Sequence, residues 1–187
     1  MNIFILDNDP VVAAQMLCDK HVPKMIVESA QMLSTAHRVL DGVVSRQPSK
    51  SGSSMVKSWE LPDQRETWLY KAVHINHPCT VWTCESCENY QWHYNHFIAI
   101  CNEYTHRYDK VHASYSRLHD ILMWQPRKIP IGHRTPFRLA MKSNPECMFA
   151  DPVESYRVFY QTKQSRFSMK WSKRDIPEWF KVENTNV

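Results

Sequence analysis

The chain has only three glycines in 187 residues, set against seven tryptophans, eight tyrosines and seven phenylalanines. Left-handed turns and close backbone approaches draw on glycine, so its scarcity argues against a β-sandwich and against a glycine-rich nucleotide-binding fold. Helices need few glycines and can bury many large rings. With 43% hydrophobic residues, the length suits one domain, 1–187, whose core can fold unaided. The expected architecture is mostly α: a compact single-domain helical bundle with long loops.

The eleven prolines then belong at helix starts, turns and loops. Asp9-Pro10 and Asp151-Pro152 each set a side-chain acceptor before a proline and predict helix starts. The first helix runs to Cys18, and Pro23 predicts either a kink or a second start after Asp19. From His21 the helix continues to Leu40, where Asp41-Gly42 offers a glycine for the C′ position. Residues 43–65, rich in Ser, Lys, Pro and Gly, read as a mobile loop or insertion. A ring-dense helical block is predicted from about Thr80 to Tyr108, a shorter one over 112–124, and a last helix from Asp151-Pro152 to about Met169. Residues 125–136 form a basic, proline-punctuated loop, residues 3–6 a brief strand or extended lead-in, and the rings of the RDIPEWF tail are expected to dock back on the body.

No apolar run approaches the roughly 20 residues of a membrane span, and the N-terminus lacks the basic start of a signal peptide. The expectation is a cytoplasmic protein with no membrane partner, its six cysteines reduced. Charge is unevenly spread. Residues 1–104 hold 8 basic and 11 acidic side chains, whereas residues 105–187 hold 15 and 8, so the second half carries the positive excess. That imbalance fits either an ordinary solvated surface or a face that meets phosphates.

On the first long helix, His21, Lys24, Glu28, Gln31 and Thr35 fall within roughly 80° of arc. Val22, Met25, Ile26, Met32, Leu33, Ala36 and Leu40 fill the neighbouring arc, which puts the polar stripe at the margin of a core. A carboxylate there loses water, which raises its pKa, while a neighbouring Lys or His acts in the opposite sense. The plainer reading is a solvated face with an (i, i+4) pair between Lys24 and Glu28.

Three features, in order, narrow the choice. The chain opens Met1-Asn2-Ile3-Phe4; a helix then reads Asp-x-His-x6-Glu at Asp19, His21 and Glu28; and LYKAVHINHPCTVW places His77 before an aromatic-rich helix. Across residues 1–40 and 70–110 the chain resembles, remotely, the pyrimidine-dimer DNA glycosylases of the phage endonuclease V type and their bacterial relatives. The resemblance implies a DNA N-glycosylase, with or without AP-lyase activity, that needs no cofactor and acts on a damaged or modified base; a phage-encoded copy would work in the host cytosol. It makes Glu28 the catalytic carboxylate and the N-terminal α-amine the nucleophile, with His21 and His77 as orienters or proton carriers. α-Amines as a class titrate at about 7.7–8.0, so a useful fraction is neutral in a cell.

The chain also departs from that family. Asn at position 2 is too bulky for removal of the first methionine, so the amine belongs to Met1. Val27 and Gln31 stand where the family has arginines beside the glutamate. Phosphate contact is therefore expected from Lys24 and from the basic loop, at Arg127, Lys128, Arg134 and Arg138, with Tyr104 and Tyr108 as the rings nearest that region. Water activated by Glu28 and His21, an enzyme on a free modified nucleotide or nucleoside, and a non-catalytic nucleic-acid-binding or regulatory protein are the alternatives. His74, His77, Cys79, Cys84 and Cys87 include one zinc-like CxxC spacing, but no second pair completes it. Buried helix cysteines with a satisfied histidine are the expected reading, with no metal assigned. Asp9 reads as a helix cap rather than as half of a carboxylate pair with Asp7.

Overall fold

Everything near the middle of this protein is arranged around one helix. The computed structural model describes residues 1–49 and 51–182. Helix α1 spans Pro10–Gln15, capped by the Asp9 carboxylate, which accepts from the N–H groups of Val11 and Val12. It ends earlier than the expected Cys18, and a new helix, α2 (His21–Asp41), begins after Asp19. Pro23 thus falls in the first turn of α2, where a missing N–H costs nothing and no kink is needed. The arc predicted to be apolar faces inward: Val22, Met25, Ile26, Met32, Leu33 and Ala36 are fully buried.

Gly42 closes α2 differently from expectation. Its backbone is extended, at φ −78, rather than left-handed. Glycine is needed there for space, because a Cβ would meet the Arg38 carbonyl oxygen at 2.4 Å.

Within residues 43–65, expected to be a mobile loop or insertion, two strands form a hairpin. Strands β1 (Val43–Pro48) and β2 (Met55–Glu60) pair antiparallel, with Val44 opposite Trp59 and Arg46 opposite Lys57. The chain returns to the body through Arg38, a fully buried guanidinium that donates to the carbonyls of Trp59, Leu69 and Tyr70 and to the Glu66 carboxylate. Helix α3 (Arg65–Trp68) is a single turn within that return.

The ring-dense block is two helices, α4 (Pro78–Glu85) and α5 (Cys87–Tyr108). The chain becomes extended at Ser86, whose hydroxyl caps α5 by accepting from the Asn89 N–H. The Asn89 amide in turn donates to the Trp82 carbonyl at 2.7 Å, satisfying an acceptor freed by the break. Helix α5 lies against α2 and α1, while α4 and α6 (Ala113–Leu122) cover the other flanks of α2. Rings fill the joints between them: Tyr90 and Phe97 are fully buried, and Trp82 and Trp92 meet edge to face with Phe137 between them.

Residues 125–144 have no regular element. Carboxylates and an amide hold their backbone: Asp41 accepts from the N–H groups of Arg127 and Lys128, Glu88 from Arg134, and Asn89 from Thr135. Helix α7 (Pro152–Gln161), capped by Asp151, is shorter than the expected run to Met169 and tightens into a 3-10 turn over Thr162–Ser165. Beyond it, Trp171 and Phe180 dock on the body, and the Trp171 indole donates to the Met16 carbonyl. The fold is mostly helical. Among the described residues no helix is long and apolar enough to cross a membrane.

Candidate active site

Residues 3–6 form the expected extended lead-in, without strand pairing, and Ile3, Phe4, Ile5 and Leu6 are all buried. Phe4 adopts φ 52, a left-handed conformation that costs a bulky side chain on the order of 1 kcal/mol or more. Two features hold it there. Its N–H donates to the Asn2 side-chain oxygen at 2.9 Å, and its ring is enclosed by His21 and Tyr160, both with centroids 5.0 Å away. The Asn2 amide nitrogen donates to the Ala140 carbonyl, and Tyr156 pins that segment by donating to the Arg138 carbonyl and accepting from the Ala140 N–H.

With the first turn of chain so fixed, the backbone N–H of Asn2 donates to Glu28 Oε2 at 2.7 Å. The Met1 amine lies 3.9 Å from the same oxygen, and Lys24 Nζ lies 3.7 Å from the other oxygen, Oε1. The Glu28 side chain is 13% exposed, that of Met1 5% and that of Lys24 61%, so the carboxylate sits at the boundary between core and solvent. An amine and a carboxylate at this separation can exchange a proton through a small movement or one water.

His77 is drawn to the same place by a local device. It precedes Pro78 and caps α4, its Nδ1 accepting from the Cys79 N–H at 3.2 Å. That bond leaves the neutral ring's proton on Nε2. Burial pushes its pKa down, helped by the N-terminal amine and by His74, while a hydrogen bond to the Met1 backbone acts the other way. A neutral His77 therefore positions Met1. Cys79, just beyond it, is fully buried against the Tyr156 hydroxyl, and burial pushes its thiol up to about 11.

His21 is not brought to Glu28. Two helical turns separate them, about 10 Å along α2. Its Nδ1 lies 2.7 Å from the Tyr160 hydroxyl, its ring sits between Phe4 and Phe167, and burial, with Lys24 and Lys163 nearby, lowers its pKa to about 4. In this fold His21 supports the floor beneath Phe4. Asp19 is likewise structural, accepting from Arg107 and from the backbone and hydroxyl of Ser172.

The expected phosphate contacts are scattered. Arg138 is paired with Glu85 and Arg127 with Asp63; Arg134 donates to the Asn8 carbonyl and covers the Phe137 ring. Arg127 and Lys128 are anchored at Asp41, about 20 Å along α2 from Glu28. Tyr104 and Tyr108 pack against each other with tilted rings, centroids 4.9 Å apart, and the Tyr108 hydroxyl donates to the Asp19 carbonyl, at the opposite end of α2.

Beside Lys24, which pairs with Glu28, lie basic groups that the sequence reading did not single out. Lys163 is 9% exposed, and its ammonium lies 3.4 Å from the Phe159 ring centre with no carboxylate partner among the described residues. Burial, then Arg166, brings its pKa down to about 8, and Lys24 contributes in the same sense. Lys20 covers Phe167 at 4.7 Å on the same aromatic wall. No local motif marks Lys163 or Arg166; only the basic balance of the second half of the chain hinted at them.

Among the described residues no group of three or more His, Cys, Asp or Glu side chains is placed to hold a metal ion. Cys84 and Cys87 fall on either side of the α4–α5 break, and the Cys87 thiol contacts the backbone of Gly132. What the site offers is an amine beside a half-buried carboxylate, a neutral histidine holding the amine's residue and, on a neighbouring aromatic wall, cations without a carboxylate partner among the described residues. Comparison of the chain with protein families, curated proteins and solved structures gives no match.

Proposed function

We propose that this protein is a DNA N-glycosylase acting on a damaged or modified base, with the Met1 α-amine as nucleophile and Glu28 as acid and base. The single observation that carries this reading is the 3.9 Å approach of the Met1 amine to Glu28 Oε2. A chain terminus tethered by a left-handed Phe4 and by two hydrogen bonds from Asn2 is an expensive arrangement for a merely structural end.

In this mechanism the neutral amine attacks the sugar C1′. The bond from C1′ to the base breaks, and its electron pair leaves with the base, which takes up a proton. The attacking nitrogen gives a proton to Glu28, and opening of the sugar ring yields an imine. Removal of a proton from C2′ then allows the 3′ phosphate to leave. His77 keeps Met1 in place, and Lys24, Lys163 and Arg166 offset phosphate charge near the reacting sugar. The base must leave the duplex stack to be reached.

Borohydride reduction during reaction with lesion-bearing duplexes tests this directly. A covalent protein–DNA adduct mapped by mass spectrometry to Met1, lost on acetylating the N-terminus, is the expected result. Glu28→Gln should bind the duplex yet release no base. Absence of both trapping and base release across a panel of lesions overturns the reading.

A further inference from the structure

The hairpin β1–β2 stands away from the core, and its composition is unlike that of a capping ribbon. Residues directly opposite in an antiparallel pair share a face, so Val44, Arg46, Pro48, Met55, Lys57 and Trp59 lie on one side. That face carries two cations and no acid. Arg46 and Lys57 are exposed, sit directly across from each other, and have no ion-pair partner among the described residues. Like charges directly opposite destabilise a two-stranded ribbon, so the pair weakens the hairpin unless an anion lies across it. The only acid of the two strands, Glu60, is on the other face and accepts from Gln47 and Ser45.

Apolar side chains flank the cations. Val44 is 57% exposed and Met55 56%, on an element too thin to shield either. At the base of the hairpin the charge is balanced instead: Asp41, just before Gly42, anchors the backbone of Arg127 and Lys128, and the Arg127 side chain pairs with Asp63, so the free cations of this face are those of the ribbon itself. A face with paired cations at its centre and isolated apolar groups beside them complements a polyanion that also presents apolar edges. The major groove of B-form DNA does both: it admits a two-stranded ribbon, and it displays thymine methyl groups between phosphate walls. The deep, narrow groove of duplex RNA does not admit one.

We infer that the β1–β2 hairpin is a DNA-reading ribbon that enters the major groove of duplex DNA, Arg46 and Lys57 meeting phosphates and Val44 and Met55 meeting base edges. The inference rests on the DNA half of the reading above and is independent of the chemistry at Glu28.

Fluorescence anisotropy with a short undamaged duplex, measured over a salt series, tests it. The wild-type chain should prefer duplex DNA to duplex RNA and to single-stranded DNA. Arg46→Ser with Lys57→Ser should weaken binding by roughly tenfold or more and make the slope of log K against log salt shallower by about 2, since each cation neutralises one phosphate. Arg46→Glu is the more telling variant. It places a carboxylate opposite Lys57, so thermal stability should hold or rise while duplex binding falls. Wild-type affinity and slope in both variants would overturn the inference, as would equal binding of all three nucleic acids or of none. Glu28→Gln separates the two claims: if it still releases base, the catalytic reading falls while the ribbon result stands. If it is inactive and the hairpin variants bind normally, the ribbon alone falls.

Discussion

Asn2 and Glu28, 26 residues apart in sequence, share a hydrogen bond of 2.7 Å from the backbone N–H of one to the carboxylate of the other. Residue 2 is 6% exposed, so that N–H has little access to water as a substitute acceptor. The bond makes Glu28 a structural anchor as well as a proton carrier, and the two roles are separable by substitution.

Glu28→Ala removes the acceptor and should cost about 1–3 kcal/mol, the usual penalty for a buried donor left unsatisfied. Glu28→Gln keeps an oxygen in reach and should cost less than about 1 kcal/mol. Urea denaturation of both variants measures the difference. Equal losses would mean that the Asn2 bond does not hold the N-terminus in place.

Stability should fall on acidification below neutrality. His21 and His37 are buried, and burial lowers each to about 4 from the usual 6.5. The unfolded chain binds protons at these sites first, so their contribution is full above about pH 6.5 and is lost as pH falls toward 4. Each is worth on the order of 3 kcal/mol at the acid end. Melting temperature should drop as pH falls through this window, and His21→Gln should shallow the drop. A curve that is flat down to pH 4 would contradict the burial of these rings.

Arg38 has no solvent exposure and serves five acceptors on the return from the hairpin. Arg38→Met strands those acceptors, and a loss of about 3–5 kcal/mol is expected by chemical denaturation. Arg38→Lys should not rescue it, because an ammonium cannot reproduce the planar fork of donors. Full rescue by lysine would show that charge alone matters at this position.

Lys163 is a nearly buried cation with no carboxylate partner among the described residues, a costly state for a purely structural residue. Lys163→Met should therefore stabilise the fold, by roughly 1 kcal/mol, while raising the KM for an oligonucleotide substrate. A variant that is more stable and equally active would remove Lys163 from substrate binding.

The sequence disclosed some of this well and some of it not at all. The bounds of α2 were legible because Asp19, Pro23, Asp41 and Gly42 are local punctuation. The start of α4 at His77-Pro78 follows the same grammar, an acceptor before a proline, but the expected start was about Thr80, because a histidine is a less familiar cap than the aspartates of α1 and α7. The break at Ser86 was hidden because the spacing of rings runs through it. The hairpin was hidden for a different reason: with both faces in solvent, its strands carry no apolar–polar alternation to read. No periodicity brings residue 1 to residue 28. That proximity depends on Phe4 entering a left-handed turn against His21 and Tyr160, contacts that join both ends of the chain.

Helix α2 can also be taken as a ruler. Gly42, where the ribbon departs, comes fourteen residues after Glu28, or about 21 Å along the axis, close to the length of six stacked base pairs. If the ribbon grips the duplex and Glu28 does the chemistry, the footprint must be lopsided, reaching about half a helical turn to one side of the excised base. Such a protein would have a handedness along DNA. A lesion close to the end of a duplex would be processed when the longer arm lies on the ribbon's side, and spared when it lies on the other.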